Sequence, residues 1–191
     1  MIQKLPNILS SLRIILAFLF VYLYLQTELE YRITSLVIFF FAAISDYYDG
    51  KIAREYEIET KFGVFLDPLA DKFLTFAGFA SLAVLAPSVF PWWIVIVITV
   101  RDVGVTLLRI YAEKKDYNME TRFLAKAKTL VQMIYLYLAL LFGMIVNLSY
   151  NWVDILGITF HVAFWMVMLL TVYSGLEYIF TNKKLFQKSS A

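Results

Sequence analysis

The sequence predicts an all-α integral membrane protein, a single domain over residues 1–191 in which six helices cross the bilayer. Three observations lead there. Apolar residues make up 61% of the 191 residues and charged residues 17%, where a soluble domain holds about 45–50% and about 25%. Mean hydropathy is +0.72, and one core cannot hide that excess, because a domain of this length buries only roughly 70% of its unfolded surface. The apolar residues also fall into six runs, each near the length of about 20 residues that spans about 30 Å of hydrocarbon. Finally, lysine and arginine collect on one side of the resulting topology. With 18% aromatic residues the chain is not intrinsically disordered.

The first run, 8–26, follows Pro6-Asn7 and stops at Gln26-Thr27-Glu28. It lacks the small-residue cleavage site of a signal peptide and is of spanning length. The second, 31–53, ends in the charged stretch 51–61, and the third, 64–86, begins after Gly63 and stops at Pro87-Ser88. Pro91 opens the fourth, 91–112, which ends at the polar stretch 113–118. The fifth and sixth, 124–147 and 152–180, are separated by 147–151. Proline, glycine and short polar clusters are the expected breaks. Helices are the expected spanning form, because lipid leaves backbone groups to be satisfied internally. The ten-residue dyad alternation of a membrane barrel is absent, as are repeats and low-complexity tracts.

Charge sets the orientation. The N-terminus and the second and fourth loops carry Lys4, Lys51, Arg54, Lys61, Lys114, Lys115, Arg122, Lys126 and Lys128, and the C-terminus adds Lys183, Lys184 and Lys188. The opposite loops hold only Arg32. By the positive-inside rule both termini are cytosolic, which also requires an even number of spans. A net charge of +2 gives no reason to expect nucleic acid as a partner. With no cysteine there is no disulfide framework, thiolate metal site or cysteine nucleophile, and a single histidine, His161, excludes a histidine-rich zinc site.

The second predicted helix ends in Ser45-Asp46-Tyr47-Tyr48-Asp49-Gly50-Lys51-Ile52-Ala53-Arg54, and the third begins Gly63-Val64-Phe65-Leu66-Asp67-Pro68-Leu69-Ala70-Asp71-Lys72. Asp46 and Asp49 are three apart, Asp67 and Asp71 four apart, so each pair shares a helix face. A hairpin turning near Ile58 brings all four to similar depth in the cytosolic half of the membrane. Four anions so close must be protonated, paired with cations or bound to metal. Lys51, Arg54 and Lys72 are near enough in sequence to neutralise some of them, so a salt-bridged helix end without chemistry is one reading. The other is a metal site: oxygen-only ligands suit Mg²⁺ or Mn²⁺, with enough carboxylates for two ions and hence for phosphoryl chemistry. Gly50, Ala53 and Gly63 leave room for a ligand against the backbone, although small residues also serve helix packing.

Asp46-x-x-Asp49-Gly50-x-x-Ala53-Arg54, eight residues, Gly63-x-x-x-Asp67-x-x-x-Asp71 resembles the complete signature of the CDP-alcohol phosphotransferase family. The six-helix layout is similar to that family's fold along the whole chain. The resemblance implies displacement of CMP from a CDP-linked lipid or alcohol by an acceptor hydroxyl. It assigns Asp46, Asp49 and Asp67 to the metal ions and the CDP diphosphate. Asp71 is the implied general base, also touching a metal, and Asn7, Asp49, Gly50, Ala53, Arg54 and Gly63 surround the nucleotide. The resemblance further implies a homodimer and an active site facing the cytosol from a bacterial inner membrane.

Pro6-Asn7-Ile8-Leu9-Ser10-Ser11-Leu12-Arg13, the residues around Asp67 and Asp71, Arg101-Asp102 with Leu108-Arg109, and Lys126-Ala127-Lys128-Thr129-Leu130-Val131-Gln132-Met133 resemble the members that use CDP-diacylglycerol and sn-glycerol 3-phosphate. An acceptor that already carries phosphate needs cations of its own, and Arg109, Lys126 and Lys128 flank the fourth loop. Ordinary positive-inside topology is the other explanation of these three. Other acceptors of the family, inositol phosphate, phosphatidylglycerol or serine, stand as alternatives. A small cation transporter is a remote one, since no ladder of carboxylates reaches the far side.

Arg101, near the middle of the fourth helix, calls for a partner such as Asp102 or Glu177, or for a water-filled cavity. His161 falls in the non-cytosolic half of the sixth helix and reads as an interhelical hydrogen-bonding residue. The aromatic residues read as lipid-facing and interfacial.

Overall fold

A computed structural model describes residues 5–55, 61–113, 115, 123–145 and 152–182. Six helices follow one another: α1 (Leu5–Tyr24), α2 (Leu29–Glu55), α3 (Lys61–Leu85), α4 (Trp92–Glu113), α5 (Phe123–Ile145) and α6 (Trp152–Thr181). The described residues contain no strand. Every predicted run is a helix, and the differences lie at the ends. α1 begins at Leu5 and takes Pro6 into its first turn, where a missing N–H is an unsatisfied position in any case. α2 runs on to Glu55 and α3 starts at Lys61, so much of the predicted charged break is helical. Lysine, arginine and glutamate are good helix formers, and such residues extend a helix beyond its apolar stretch at little cost.

α3 is the hub, in contact with α1, α2, α4 and α5, while α6 packs on α4 and α5. One stripe of α1 is buried, Ser10, Arg13, Ala17, Phe20 and Tyr24, with the three- and four-residue spacing of a helix face. Phe20 meets Phe39 of α2 at a ring separation of 5.0 Å. Tyr24 Oη donates to the carbonyl of Leu140 on α5 at 2.7 Å. On the other side of α3, Phe79, Tyr135 and Phe164 tie α3, α5 and α6 together, the rings of Tyr135 and Phe164 stacked nearly parallel at 5.8 Å.

Lipid tails are as apolar as leucine, so helix association in a bilayer rests on close packing rather than on escape from water. Two glycines show how close. A Cβ on Gly78 would stand 3.1 Å from Leu136 and 3.3 Å from Phe39, where α2, α3 and α5 converge. A Cβ on Gly143 would run into Tyr24 Oη and come within 3.0 Å of Leu82.

Long apolar windows of spanning length lie at Pro68–Leu85, Ala127–Met144 and Ile155–Thr181, and a shorter one at Ser10–Tyr24. The outer surface is studded with exposed Ile15, Phe18, Val100, Ile158, Met166 and Phe180. Water would penalise so continuous an apolar exterior, and lipid accepts it. The architecture is that of an integral membrane helix bundle.

Candidate active site

Contacts between the helices fix their axial register. α1 and α2 form a hairpin through the short turn 25–28, pinned where Phe20 meets Phe39. Moving equal distances from that pair toward the start of α1 and the end of α2 brings Arg13 level with Asp46. α1 and α3 run parallel, and Phe18 meets Phe73 at 5.2 Å, which sets Arg13 level with Pro68, between Asp67 and Asp71. α3 and α5 also run parallel: Thr75 Oγ1 lies 3.9 Å from Met133 Sδ, and Gly78 packs on Leu136. Ala70 is therefore level with Lys128 and Asp71 with Thr129. α4 joins at Asp102, which Lys128 and Gln132 contact, and α6 joins at Ser174, which Arg101 contacts. One layer of charged and polar residues thus crosses all six helices.

Within this layer Asp71 is partly exposed, and Lys72 Nζ donates to its Oδ2 at 2.6 Å. Thr75 Oγ1 donates to the backbone carbonyl of Asp71 at 3.1 Å. Pro68 lies inside α3 between the two motif aspartates. Having no N–H, it leaves the carbonyl of Val64 without its helical donor at the point where ligands are expected.

The two aspartate pairs each occupy one helix, as their spacing requires, Asp46 and Asp49 in α2, Asp67 and Asp71 in α3. Gly50, Ala53 and Arg54 follow in α2, and Gly63, Asn7 and Lys126 belong to α3, α1 and α5. The side chains of Asn7, Asp46, Asp49, Ala53, Arg54, Asp67 and Lys126 lie outside the described ones. Among the described residues no three histidine, aspartate or glutamate side chains gather into a metal site; three of the four motif carboxylates are not among them. The donor set itself fits a hard divalent ion. It is all oxygen, and His161 stands thirteen positions along α6 from Ser174, about 20 Å at 1.5 Å per residue.

The cations divide. Lys128 is 2% exposed, and its Nζ donates to Asp102 Oδ1. Arg109 is exposed and lies nearly two turns further along α4 than Asp102, about 10 Å. Arg101 has found the partner expected of it: Nη1 donates to Asp102 Oδ1 at 3.0 Å, and Nη2 reaches Ser174 Oγ on α6 at 2.8 Å. Gly175 makes that reach possible, since a Cβ there would stand 2.9 Å from Arg101 Nε. A cavity of about 630 Å³ opens between α4 and α6 beside this arginine, walled by Val100, Gly104, Val105, Val172 and Leu176. Its lining is apolar apart from Arg101, so it has none of the carboxylates on which the chemistry depends.

Three residues of the layer were not anticipated as site residues: Arg13, Asp102 and Gln132. Arg13 is 1% exposed although charged. A signal for it existed, because it falls on the same face of α1 as Ala17, Phe20 and Tyr24, and a charge on the buried stripe of a membrane helix is a functional flag. Gln132 carries no such flag in isolation.

His161 serves as an interhelical hydrogen-bonding residue. Trp165 Nε1, a donor only, gives its hydrogen to His161 Nε2 at 3.1 Å, so Nδ1 carries the ring proton and donates to the Val89 carbonyl at 2.8 Å. This joins α6 to the α3–α4 connection, far from the charged layer.

Residues 3–173 match the family described as CDP-alcohol phosphatidyltransferase. A Mycobacterium tuberculosis protein named as a probable phosphatidylglycerophosphate synthase is 33% identical over 185 residues, covering 93% of this chain and 81% of its own. A Rickettsia bellii protein named CDP-diacylglycerol–glycerol-3-phosphate 3-phosphatidyltransferase is 31% identical over 96% of this chain and 98% of its own. A Bacillus subtilis protein of the same name is 33% identical over 83% and 78%.

Proposed function

Because the chain belongs to the CDP-alcohol phosphatidyltransferase family, we propose that it transfers the phosphatidyl group of CDP-diacylglycerol to sn-glycerol 3-phosphate and releases CMP. The observation that carries this reading is the charged layer. A partly exposed carboxylate, Asp71, stands level with a buried arginine on α1 and a buried lysine on α5, as an anionic substrate pair and a proton acceptor require. The names of the relatives from Rickettsia bellii and Bacillus subtilis supply the acceptor.

In this reading Asp71 accepts the proton of the acceptor's C1 hydroxyl, whose oxygen attacks the phosphatidyl phosphorus as the bond to CMP breaks. Lys72, 2.6 Å from Asp71 Oδ2, holds the carboxylate in place. Arg109, Lys126 and Lys128 bind the acceptor's own phosphate, the arginine through its planar fork and the lysines as point charges. Asn7, Asp49, Gly50, Ala53, Arg54 and Gly63 surround the cytidine nucleotide. Asp46, Asp49, Asp67 and Asp71 would hold two Mg²⁺ or Mn²⁺ ions, whose chemistry there would be to offset negative charge on the diphosphate.

The basic residues of the termini and even loops put both termini and the reaction site on the cytosolic side of the inner membrane. The donor lipid then enters sideways from the bilayer, and the working unit is a homodimer.

The test is CMP release by the purified protein with CDP-diacylglycerol and Mg²⁺, offered each acceptor separately. Release with glycerol 3-phosphate, its loss in EDTA and its return with added Mg²⁺ or Mn²⁺ are expected. Release with inositol phosphate, phosphatidylglycerol or serine but not with glycerol 3-phosphate would overturn the acceptor. No release with any of them, but cation uptake into vesicles, would point instead to a transporter.

A further inference from the structure

Asp102 is buried in the middle of α4 at 6% exposure, and three side chains donate to it. Arg101 Nη1 and Lys128 Nζ share Oδ1, and Gln132 Nε2 takes Oδ2 at 3.0 Å. One carboxylate therefore serves two cations, and this buried cluster carries one positive charge in excess. Two more of its polar atoms, Arg101 Nε and Gln132 Oε1, are buried with no hydrogen-bond partner among the described residues. A cluster selected only to hold helices together has no use for such an imbalance. Apolar side chains of similar volume pack at least as well, and an uncompensated buried charge is costly.

The excess makes sense beside Asp71. Lys72, the partner of Asp71, lies within one turn of Ala70, the α3 residue level with Lys128. An ammonium group has three N–H donors, and a lysine side chain left to itself spreads them over many rotamers. Asp102 removes that freedom while cancelling only half of the positive charge around it.

We infer that Asp102 is a positioning residue for the acceptor: it fixes the Lys128 ammonium at the level of the Asp71–Lys72 pair, leaving one positive charge for the acceptor's phosphate to neutralise. Gln132 steadies the other carboxylate oxygen, and Arg101 ties the assembly to α6 through Ser174. The inference rests on the reading of Lys128 as an acceptor-phosphate residue.

The experiment uses full-length protein in lipid nanodiscs, with initial rates of CMP release measured while glycerol 3-phosphate and CDP-diacylglycerol are varied independently. Asp102→Asn and Lys128→Met are each expected to raise KM for glycerol 3-phosphate about tenfold or more and to leave that for CDP-diacylglycerol within about twofold, the size expected for one charge-assisted contact. The double variant is expected to be no worse than Lys128→Met alone, because Asp102 acts through Lys128. A merely structural role would lower the yield of folded protein or kcat without splitting the two KM values.

Because Asp102→Asn strands two buried cations, Asp102→Glu provides a second route. It keeps the charge, displaces the carboxylate by one methylene, and is expected to show the same split. An unchanged KM for glycerol 3-phosphate in the folded Asp102 variants, while Lys128→Met raises it, overturns this inference alone. Multiplying effects in the double variant overturn it as well. An unchanged KM in Lys128→Met removes Lys128 from the acceptor site and the inference with it.

Discussion

Gly143 on α5 faces Tyr24 on α1, and replacing it by alanine tests whether close packing holds the charged helices in register. The added Cβ would run into Tyr24 Oη and stand 3.0 Å from Leu82 Cδ2 and 3.4 Å from Tyr24 Cζ. Leucine can yield by a rotamer change, but the tyrosine cannot move without giving up its 2.7 Å hydrogen bond to the Leu140 carbonyl. Overpacking costs about 1–3 kcal/mol and the lost hydrogen bond about 1 kcal/mol. Alanine's helix propensity returns about 1 kcal/mol relative to glycine. Gly143→Ala is thus expected to lose about 1–3 kcal/mol net. Tyr24→Phe alone is expected to lose about 1 kcal/mol. The double variant should be about as stable as Tyr24→Phe, since the atom in the way has gone, leaving a coupling of about 1–3 kcal/mol. Reversible unfolding in mixed detergent micelles reads all four corners of the cycle. Additive losses, or a Gly143→Ala protein as stable as the parent, would refute the contact.

Asp71→Asn keeps the shape and removes the proton acceptor, so CMP release is expected to fall about 10²–10⁴-fold, the usual worth of a general base. CDP binding, measured by calorimetry, should persist, and full activity would remove the role. Arg13→Leu takes the buried guanidinium out of the layer, level with Asp46. CMP release should fall at least about tenfold, as for loss of one charge-assisted contact, with Arg13→Lys in between, and an unaltered rate would make Arg13 a packing residue. His161→Leu breaks the bonds to Val89 and Trp165, lowering stability by about 1 kcal/mol in the same unfolding assay. Its kcat should stay unchanged because the charged layer is about 20 Å away; a fall in kcat with stability intact would contradict that separation.

The six helices were legible because their signal is local: a run of apolar residues of the right length, closed by Pro87, Pro91 or a polar cluster, says helix without reference to any other part of the chain. The aspartate motif was legible for a similar reason, since intervals of three and four fix a shared face wherever the helix goes. The end of α2 was harder to read. Lys51, Arg54 and Glu55 look like a loop by hydropathy and like a helix by propensity, and propensity prevailed. His161 was assigned to interhelical hydrogen bonding, but its acceptor, the backbone carbonyl of Val89, is a partner no side-chain pattern announces.

The partners of the cations belong to the same hidden class, and here the physics gives the reason. Arg101 had an acidic neighbour in sequence, so its bond to Asp102 followed from adjacency. Lys128 is separated from Asp102 by 26 positions, and the two meet only because α4 and α5 both pack on α3 and α6 at one register. That register is set by contacts such as Thr75 with Met133 and Gly78 with Leu136, none of them charged. In a bilayer, where such packing rather than water decides how helices meet, apolar residues therefore choose which charges become neighbours. The positive-inside pattern of Lys126 and Lys128 stated only which side they are on. It could not say that Lys128 is buried against a carboxylate while Arg109, on the same side, stays exposed. The distinction makes Asp102, acting through Lys128, a residue whose substitution should separate acceptor binding from donor binding as sharply as Lys128→Met does.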